Sequence, residues 1–428
     1  MQNNKMAKLA INNGEKYRKH PFPKHPIIGE EEKKAALDVL NRAELSTFIA
    51  SPGEYFLGGK KIKEFENLCT EYFKTKYAVA LNSGTACLHA AVVACGVQPG
   101  DEILVTPYSF TASATCALMN NSVPVFIDID ENNFCIDPKK IEEKITKKTK
   151  AIIIVHLFGG PADMDEIMKI AKKHKIKVIE DCAQTPGATY KGKLLGTIGD
   201  CGLFSFTESK NVTSGEGGML ITNNEKITDI VRLVRNHGEA VVANQPRQYK
   251  SIILGWGYRM TELDAAVGIE QFKKLDMFNK ERIKLAEYLA NKIEKEIPGI
   301  KPCLNNKNGK NVYFILPFKY DEKKIGIPRD LFVKALNAEG IPFGAGYVRP
   351  LYLNPIFHEN KHFALKHFAE HVNYDKGICP IVEKMHEKEV ILTLMCRPPA
   401  TFKDMDDIVG AMKKIITNKE ELLSSQKS

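Results

Sequence analysis

The run AIIIVHLFGGPADMDEIMKIAKKHKIKVIED, residues 151–181, decides the fold. It opens on an apolar, largely β-branched stretch at 151–158, broken by a single polar residue, His156. A Gly-Gly-Pro turn leads into the amphipathic pattern MDEIMKIAKKH (164–174), and the run ends on a second apolar strand, KVIED (177–181). A strand that is apolar on both faces must be covered on both, and a helix between two such strands makes a parallel crossover. The same alternation extends in both directions. Strands are predicted at 77–81, 102–106, 124–129, 202–206 and 218–222, with a further helix at 62–73. The fold class is therefore α/β: a three-layer unit with a mostly parallel sheet between helices.

Beyond Arg259 the pattern changes. Residues 261–297 read as one long helical region closed by Pro298-Gly299, followed by a smaller C-terminal α+β unit with strands near 312–318 and 390–394 and a last helix around 402–417. The expected organisation is an N-terminal segment, 1–60, packing across both units, a large domain at 61–285 and a small domain at 286–428. The polar ends, including TNKEELLSSQKS, are expected to fray.

Composition narrows the function classes. The 428 residues are 43% hydrophobic and 26% charged, which excludes disordered and fibrous chains. No run is long and apolar enough for a membrane helix, and the first residues lack the apolar core of a signal peptide, so a cytoplasmic protein with no membrane partner is expected. Ten cysteines without a CxxC pair or Cys/His ligand spacing indicate neither disulfides nor a metal site. The charge of +9 comes from 61 basic and 52 acidic residues mixed along the chain. It reads as a lysine-rich surface without a nucleic-acid module, compatible with a cleft for an anionic substrate.

In an open α/β sheet, ligands sit beyond the carboxyl ends of the strands. Four loops there could carry chemistry. Asn82-Ser83-Gly84-Thr85-Ala86 feeds a helix and could cradle a phosphate on free N–H groups, although a simple helix cap has the same look. Within TPYSFTASA (106–114), Phe110 could stack on a planar ligand or pack in the core. Asp181, with Gln184 just after it, ends a buried strand, where a carboxylate serves chemistry or caps a helix. Lys210 follows Ser205 in FSFTESK (204–210) and precedes the glycine-rich SGEGG (214–218). A cradle, a ring, a carboxylate and a lysine together are what a pyridoxal phosphate site requires.

The segments NSGTACLHAA (82–91), EDCAQTPGATYKGKLLGTIGDCGLFSFTESKNVTSGEGGML (180–220) and GYRMTELDAAVGIEQFKKLD (257–276) resemble the sugar aminotransferase family of pyridoxal phosphate enzymes, with the aspartate-aminotransferase-like fold. The likeness weakens towards DMDDIVGAMKKI (404–415). The resemblance implies that Lys210 is the Schiff-base lysine and Asp181 the partner of the pyridine nitrogen. It places Gln184 near the cofactor ring, Phe110 in the stacking position, and Gly84, Thr85 and Ser205 on the phosphate. It further implies a homodimer that moves an amino group from glutamate or glutamine to a keto-sugar, nucleotide-linked, or to a keto-cyclitol. Two departures stand out. The family often has Gly-x-Asn-x-Arg where this chain has Gly255-Trp256-Gly257-Tyr258-Arg259, and a histidine where VRPLYLNPIF (348–357) has Tyr352. Arg349 and Tyr352 are the candidate substrate contacts. Alternatives on the same fold are a keto-sugar dehydratase, which typically has histidine in place of the lysine, and a non-catalytic regulator.

Overall fold

The computed structural model describes residues 8–46, 48, 55–240, 250–303, 308–359 and 362–425. Its centre is a seven-stranded sheet of β1 (Tyr77–Leu81), β2 (Glu102–Val105), β3 (Val123–Phe126), β4 (Thr149–Val155), β5 (Lys177–Asp181), β6 (Cys201–Ser205) and β7 (Gly218–Thr222), in the order β1-β7-β6-β5-β4-β2-β3. Neighbours from β6 through β3 pair in parallel. Only β7 runs against both its neighbours. The physical reason is the 206–217 connection, which contains no helix and so cannot make a crossover. That reversal puts the lysine-bearing loop at the carboxyl end of β6.

Helices α1 (Glu30–Arg42), α2 (Lys60–Phe73), α3 (Gly84–Ala94), α4 (Ala112–Met119), α5 (Met164–His174), α6 (Glu225–Arg235), α7 (Glu262–Lys273) and α8 (Leu275–Glu296) complete this unit and lead out of it. Helix α3 is buried nearly all round, which its run of alanines, valines and Cys87 permits. The single long helix expected at 261–297 is instead two, broken at Lys274. Its N–H closes α7 on Gln271, and its ammonium reaches the Glu32 carboxylate of α1 at 2.8 Å.

The smaller unit has an antiparallel sheet of Ile300–Pro302, Leu316–Tyr320, Val390–Thr393 and Gly344–Ala345. Its core gathers Leu285 and Leu289 from α8, Phe318, Phe332, Ile408 and Met412. The N-terminal segment touches both units. Leu9 lies in the small core and Arg18 pairs with Asp404 at 2.6 Å, while α1 holds Gln271 and Lys274 through Glu32.

Two expectations are corrected. The chain does not divide cleanly at residue 286, because the stretch from Leu351 to Met385 joins the core of the large unit. Tyr352, Phe357 and Tyr374 pack around Phe126, and the Asp128 carboxylate accepts the N–H groups of Ile381 and Val382. The C-terminal tail does not simply fray either: Lys419–Ser424 is helical, with Leu422 buried and Glu421 accepting from Asn12 at 2.9 Å. No helix among the described residues is long and apolar enough to cross a membrane.

Candidate active site

The carboxyl ends of β4, β5 and β6, the N-terminus of α3 and the start of α4 face the small unit across a cavity of about 450 Å³. Gly84, Thr85, Phe110, Asp181, Gln184, Ser205 and Lys210 all line it, and the small-unit side adds Phe314, Tyr347 and Leu392. The four loops singled out by position along the chain thus meet at one place.

Asp181 is delivered there by β5 and is buried. Its Oδ2 accepts from Ser113 Oγ at 2.9 Å and its Oδ1 from the Ala183 N–H at 3.1 Å. Burial pushes the carboxyl pKa up, against the pull of these two donors and of Lys210. Two accepted bonds leave this carboxylate able to take a further N–H donor. Beside it, the Ala162 N–H donates to His156 Nδ1 at 3.1 Å, so the ring proton is on Nε2 and donates to Glu180 Oε2 at 3.0 Å. Glu180 also accepts the N–H groups of Gly196, Ile198 and Gly199. His156, Glu180 and Cys182 lie within metal-binding reach of one another, but neither ring nitrogen keeps a free lone pair. The trio therefore reads as a pin that fixes the end of β5.

Lys210 stands on the 206–217 loop, which folds back on β6. The Phe206 carbonyl accepts from Thr213 Oγ1 and from the Ser214 N–H, both at 2.9 Å, and the Lys210 N–H donates to Thr207 O at 3.0 Å. The amine lies 4.5 Å from the Phe314 ring centroid. Burial lowers its pKa to about 8, with the Asp181 charge opposing the shift. An amine so placed loses its proton far more readily than a solvated lysine, as a nucleophile requires.

At the α3 terminus, Ser83 Oγ accepts the Ala86 N–H at 3.1 Å and helical bonding begins with the Cys87 N–H on Ser83 O. The Gly84 and Thr85 N–H groups precede that first bond and sit at the positive end of the helix. The approach here is close: a Cβ at Gly84 would stand 3.0 Å from Ser205 Cβ. The two N–H groups and the Ser205 and Thr85 hydroxyls thus form a compact set of donors suited to a phosphate dianion.

Phe110 is 63% exposed, an unusual state for a ring beside a cavity. Gln184 is fixed, with Oε1 accepting the Phe158 N–H at 2.7 Å and Nε2 donating to Tyr347 Oη at 3.1 Å. These side chains fit pyridoxal phosphate: a phosphate cradle, a ring platform, a carboxylate for the pyridine nitrogen and an amine of lowered basicity.

Sequence reasoning missed Tyr347 and Ser113. Ser113 lies three residues past Phe110 in TPYSFTASA, and Tyr347 immediately precedes the VRPLYLNPIF run. The substrate pair is corrected. Tyr352 is fully buried, with its hydroxyl donating to Glu383 in the packed core, and Arg349 is exposed outside the cavity wall. At the other departure, Gly257 pairs through its backbone with Asn236, and Arg259 Nη1 donates to Asn236 Oδ1 at 2.8 Å.

The comparisons agree with this geometry. The model of the DegT/DnrJ/EryC1/StrS aminotransferase family matches residues 39–395. A GDP-perosamine synthase of Caulobacter vibrioides is 38% identical over 74% of this chain and 81% of its own. An L-glutamine:2-deoxy-scyllo-inosose aminotransferase of Streptoalloteichus tenebrarius is 32% identical over 97% and 99%. Among solved structures, the aminotransferase from Psychrobacter cryohalolentis superposes with a TM-score of 0.81 at 30% identity, covering 93% of this chain and 99% of that one. With the matched family spanning the whole cavity, this chain belongs to the DegT/DnrJ/EryC1/StrS aminotransferase family, the pyridoxal phosphate-dependent sugar aminotransferases.

Proposed function

We propose that this chain, as a cytoplasmic homodimer, moves the amino group of glutamate or glutamine to the ketone of a nucleotide-linked sugar or of a cyclitol. The observation that carries the reading is the buried Lys210 amine, held in one cavity with Asp181 and the α3 terminus. The printed names of the two relatives, one a sugar-nucleotide enzyme and one glutamine-dependent, support the substrate classes. Ile252 and Leu254, 54% and 75% exposed, support a subunit contact at this loop.

Bound pyridoxal phosphate supplies an electron sink for the charge left on the substrate's α-carbon when its proton departs. The chain's own groups do the rest. Gly84, Thr85 and Ser205 anchor the phosphate end, so that the reacting carbon stands at a fixed place. Asp181, as a carboxylate with room for a further N–H donor, would pair with the pyridine nitrogen and hold a proton there. Gln184, tied to the Phe158 backbone, keeps its amide and the Tyr347 hydroxyl in register beside the ring. The Lys210 amine would hold the cofactor at rest and, once free, would move a proton between the donor α-carbon and the cofactor's reacting carbon. The second half of the reaction uses the same amine in reverse.

Lysine at this position separates the reading from the dehydratase alternative. The test is a donor screen on the purified protein, followed by an acceptor screen of keto-sugars and keto-cyclitols, with products analysed with and without the amino donor. Amino-sugar or amino-cyclitol formation that needs glutamate or glutamine is expected. Deoxygenated product without a donor would overturn the proposal.

A further inference from the structure

On the small-unit side the cavity is lined by Phe314, Ile315, Tyr347, Leu392 and Leu394, and among these described residues Tyr347 alone is polar. Its hydroxyl is thus what that otherwise apolar wall offers a ligand for hydrogen bonding.

The direction of its one bond follows from the backbone. Phe158, just past β4, donates its N–H to Gln184 Oε1 at 2.7 Å, which turns the other end of the amide, Nε2, towards Tyr347 Oη at 3.1 Å. An amide nitrogen can only donate, so the phenol oxygen accepts and its own proton is left over. Among the described residues Oη has no second hydrogen-bond partner. The ring is held in place as well. It meets Phe158 edge-on with centroids 5.0 Å apart and Tyr108 at 5.7 Å, and the Tyr347 N–H donates to Tyr108 Oη at 2.8 Å. Burial raises the phenol's pKa, the Gln184 bond opposes the rise and the Asp181 charge adds to it, so the group keeps its proton at neutral pH.

Amino transfer has a use for such a proton. The ketone oxygen of the acceptor must leave as water, because hydroxide leaves poorly unless a positioned acid protonates it. The groups assigned above have other duties: Asp181 serves the pyridine nitrogen, the donors at the α3 terminus serve the phosphate, and the Lys210 amine moves the proton on carbon.

We propose that Tyr347 is a further catalytic residue, whose hydroxyl binds the ketone oxygen and protonates it as it departs. The assignment rests on the amino-transfer reading above. As the C–O bond breaks, its electron pair leaves with the oxygen, and the lone pair of the transferred nitrogen makes the C=N bond. Tyr347 gives one proton to the oxygen and recovers one from the nitrogen, so the phenol ends as it began. Both hydrogens of the water come from that nitrogen, one when the C–N bond forms and one through Tyr347, and nothing is oxidised or reduced. In the donor half the same steps run in reverse, with water adding as the keto acid is released.

The test uses the full-length, cofactor-loaded protein and Tyr347→Phe, which keeps the ring packing and removes the hydroxyl. Its melting temperature and its bound cofactor, read by absorbance after gel filtration, should match the wild type. In thermal melts, 2-oxoglutarate should stabilise the wild type more than glutarate, which differs from it by the ketone oxygen, and the variant should respond equally to both. Two steps on the amino donor are then separated. Exchange of the α-hydrogen of glutamate or glutamine with deuterium from solvent, followed by NMR, needs Lys210 but no movement of oxygen, and should be little changed. Release of the keto acid in a single turnover should fall on the order of 10²-fold, the lower end for a general acid. Equal falls in exchange and release would overturn the proposal, since the hydroxyl would then merely hold Gln184 in place. An unchanged release rate, or a variant that still tells 2-oxoglutarate from glutarate, would overturn it too. A wild type that exchanges the α-hydrogen of neither donor would sink the amino-transfer reading itself, and the proposal with it.

Discussion

The two walls of the cavity differ in how their polar groups are satisfied. On the sheet side, Asp181, His156, Glu180 and Gln184 are tied to backbone or hydroxyl partners at 2.6–3.1 Å. Behind the other side, outside the cavity lining, where the N-terminal segment, α8 and the small unit meet, Arg282 and His25 retain buried nitrogens without partners. Fully bonded groups hold a geometry without a ligand, whereas orphaned ones gain most when a ligand arrives. The sheet wall is thus built to hold a fixed geometry, while the small-unit side of the cavity is mostly apolar, with Phe314, Ile315, Leu392 and Leu394 beside Tyr347.

The sharpest way to break this comparison is at Lys210, which lies between the walls. Lys210→Ala should reduce turnover by about 10⁴-fold, the upper end for a general acid–base group, while leaving the fold intact. Borohydride treatment of the loaded wild type should fix the cofactor on residue 210. A peptide map placing it on another lysine would remove the centre of the site.

Asp181→Asn tests the sheet wall. The amide keeps the shape and can still bond Ser113 and Ala183, but it cannot hold a proton on a pyridine nitrogen. Activity should fall on the order of 10²-fold or more, the scale of one aligned electrostatic group, with cofactor binding largely retained. Wild-type turnover would show that the carboxylate only supports the strand end.

The pH dependence of stability sharpens the middle of the comparison. In the cofactor-free protein Lys210 titrates near 8, below the unfolded value of about 10.4. Between those values the unfolded chain holds more protons, so stability rises with pH across the window and the contribution is lost as pH falls through 8. Lys210→Met removes that dependence. The difference between variant and wild type should shrink by roughly 3 kcal/mol from pH 8 to pH 10.5, measured by denaturant melts, in which the other groups cancel. A parallel pair of curves would mean that the amine is solvated.

How much of this was legible in the sequence follows the same division. Strands apolar on both faces announced themselves, and the residues named at their ends line one cavity, because strand ends are local. Contributions from the other wall were not local. Tyr347 joins Gln184 across 163 positions, and no periodicity says which small-unit loop faces the sheet. Tyr352, Phe357 and Tyr374 look like a small-domain core, and only the folded chain places them around Phe126. The break at Lys274 was hidden because helical periodicity continues through it. Arg282 did leave a signal: it stands in register with Leu285 and Leu289, a charge at a core position.

The smallest expected effect concerns Gly257, where the family pattern leads one to expect asparagine. The local structure asks nothing special of glycine. Its φ is not in the left-handed region, and an added Cβ would meet only the His237 ring, at 3.6 and 3.7 Å, which is ordinary contact. The pairing with Asn236 runs through the backbone and would survive the substitution. By contrast, a Cβ at Gly255 would stand 2.2 Å from the Gly238 nitrogen, so the loop's need for glycine lies two residues earlier. Asn236 Nδ2 is buried without an acceptor and Arg259 is beside it, so donors other than an asparagine at 257 are at hand. Gly257→Asn should therefore keep its melting temperature and keep or raise its affinity for pyridoxal phosphate, read by cofactor titration. A large loss of affinity in a folded variant would show that the close approach at this loop is made between subunits, where a side chain that one protomer accommodates meets the other.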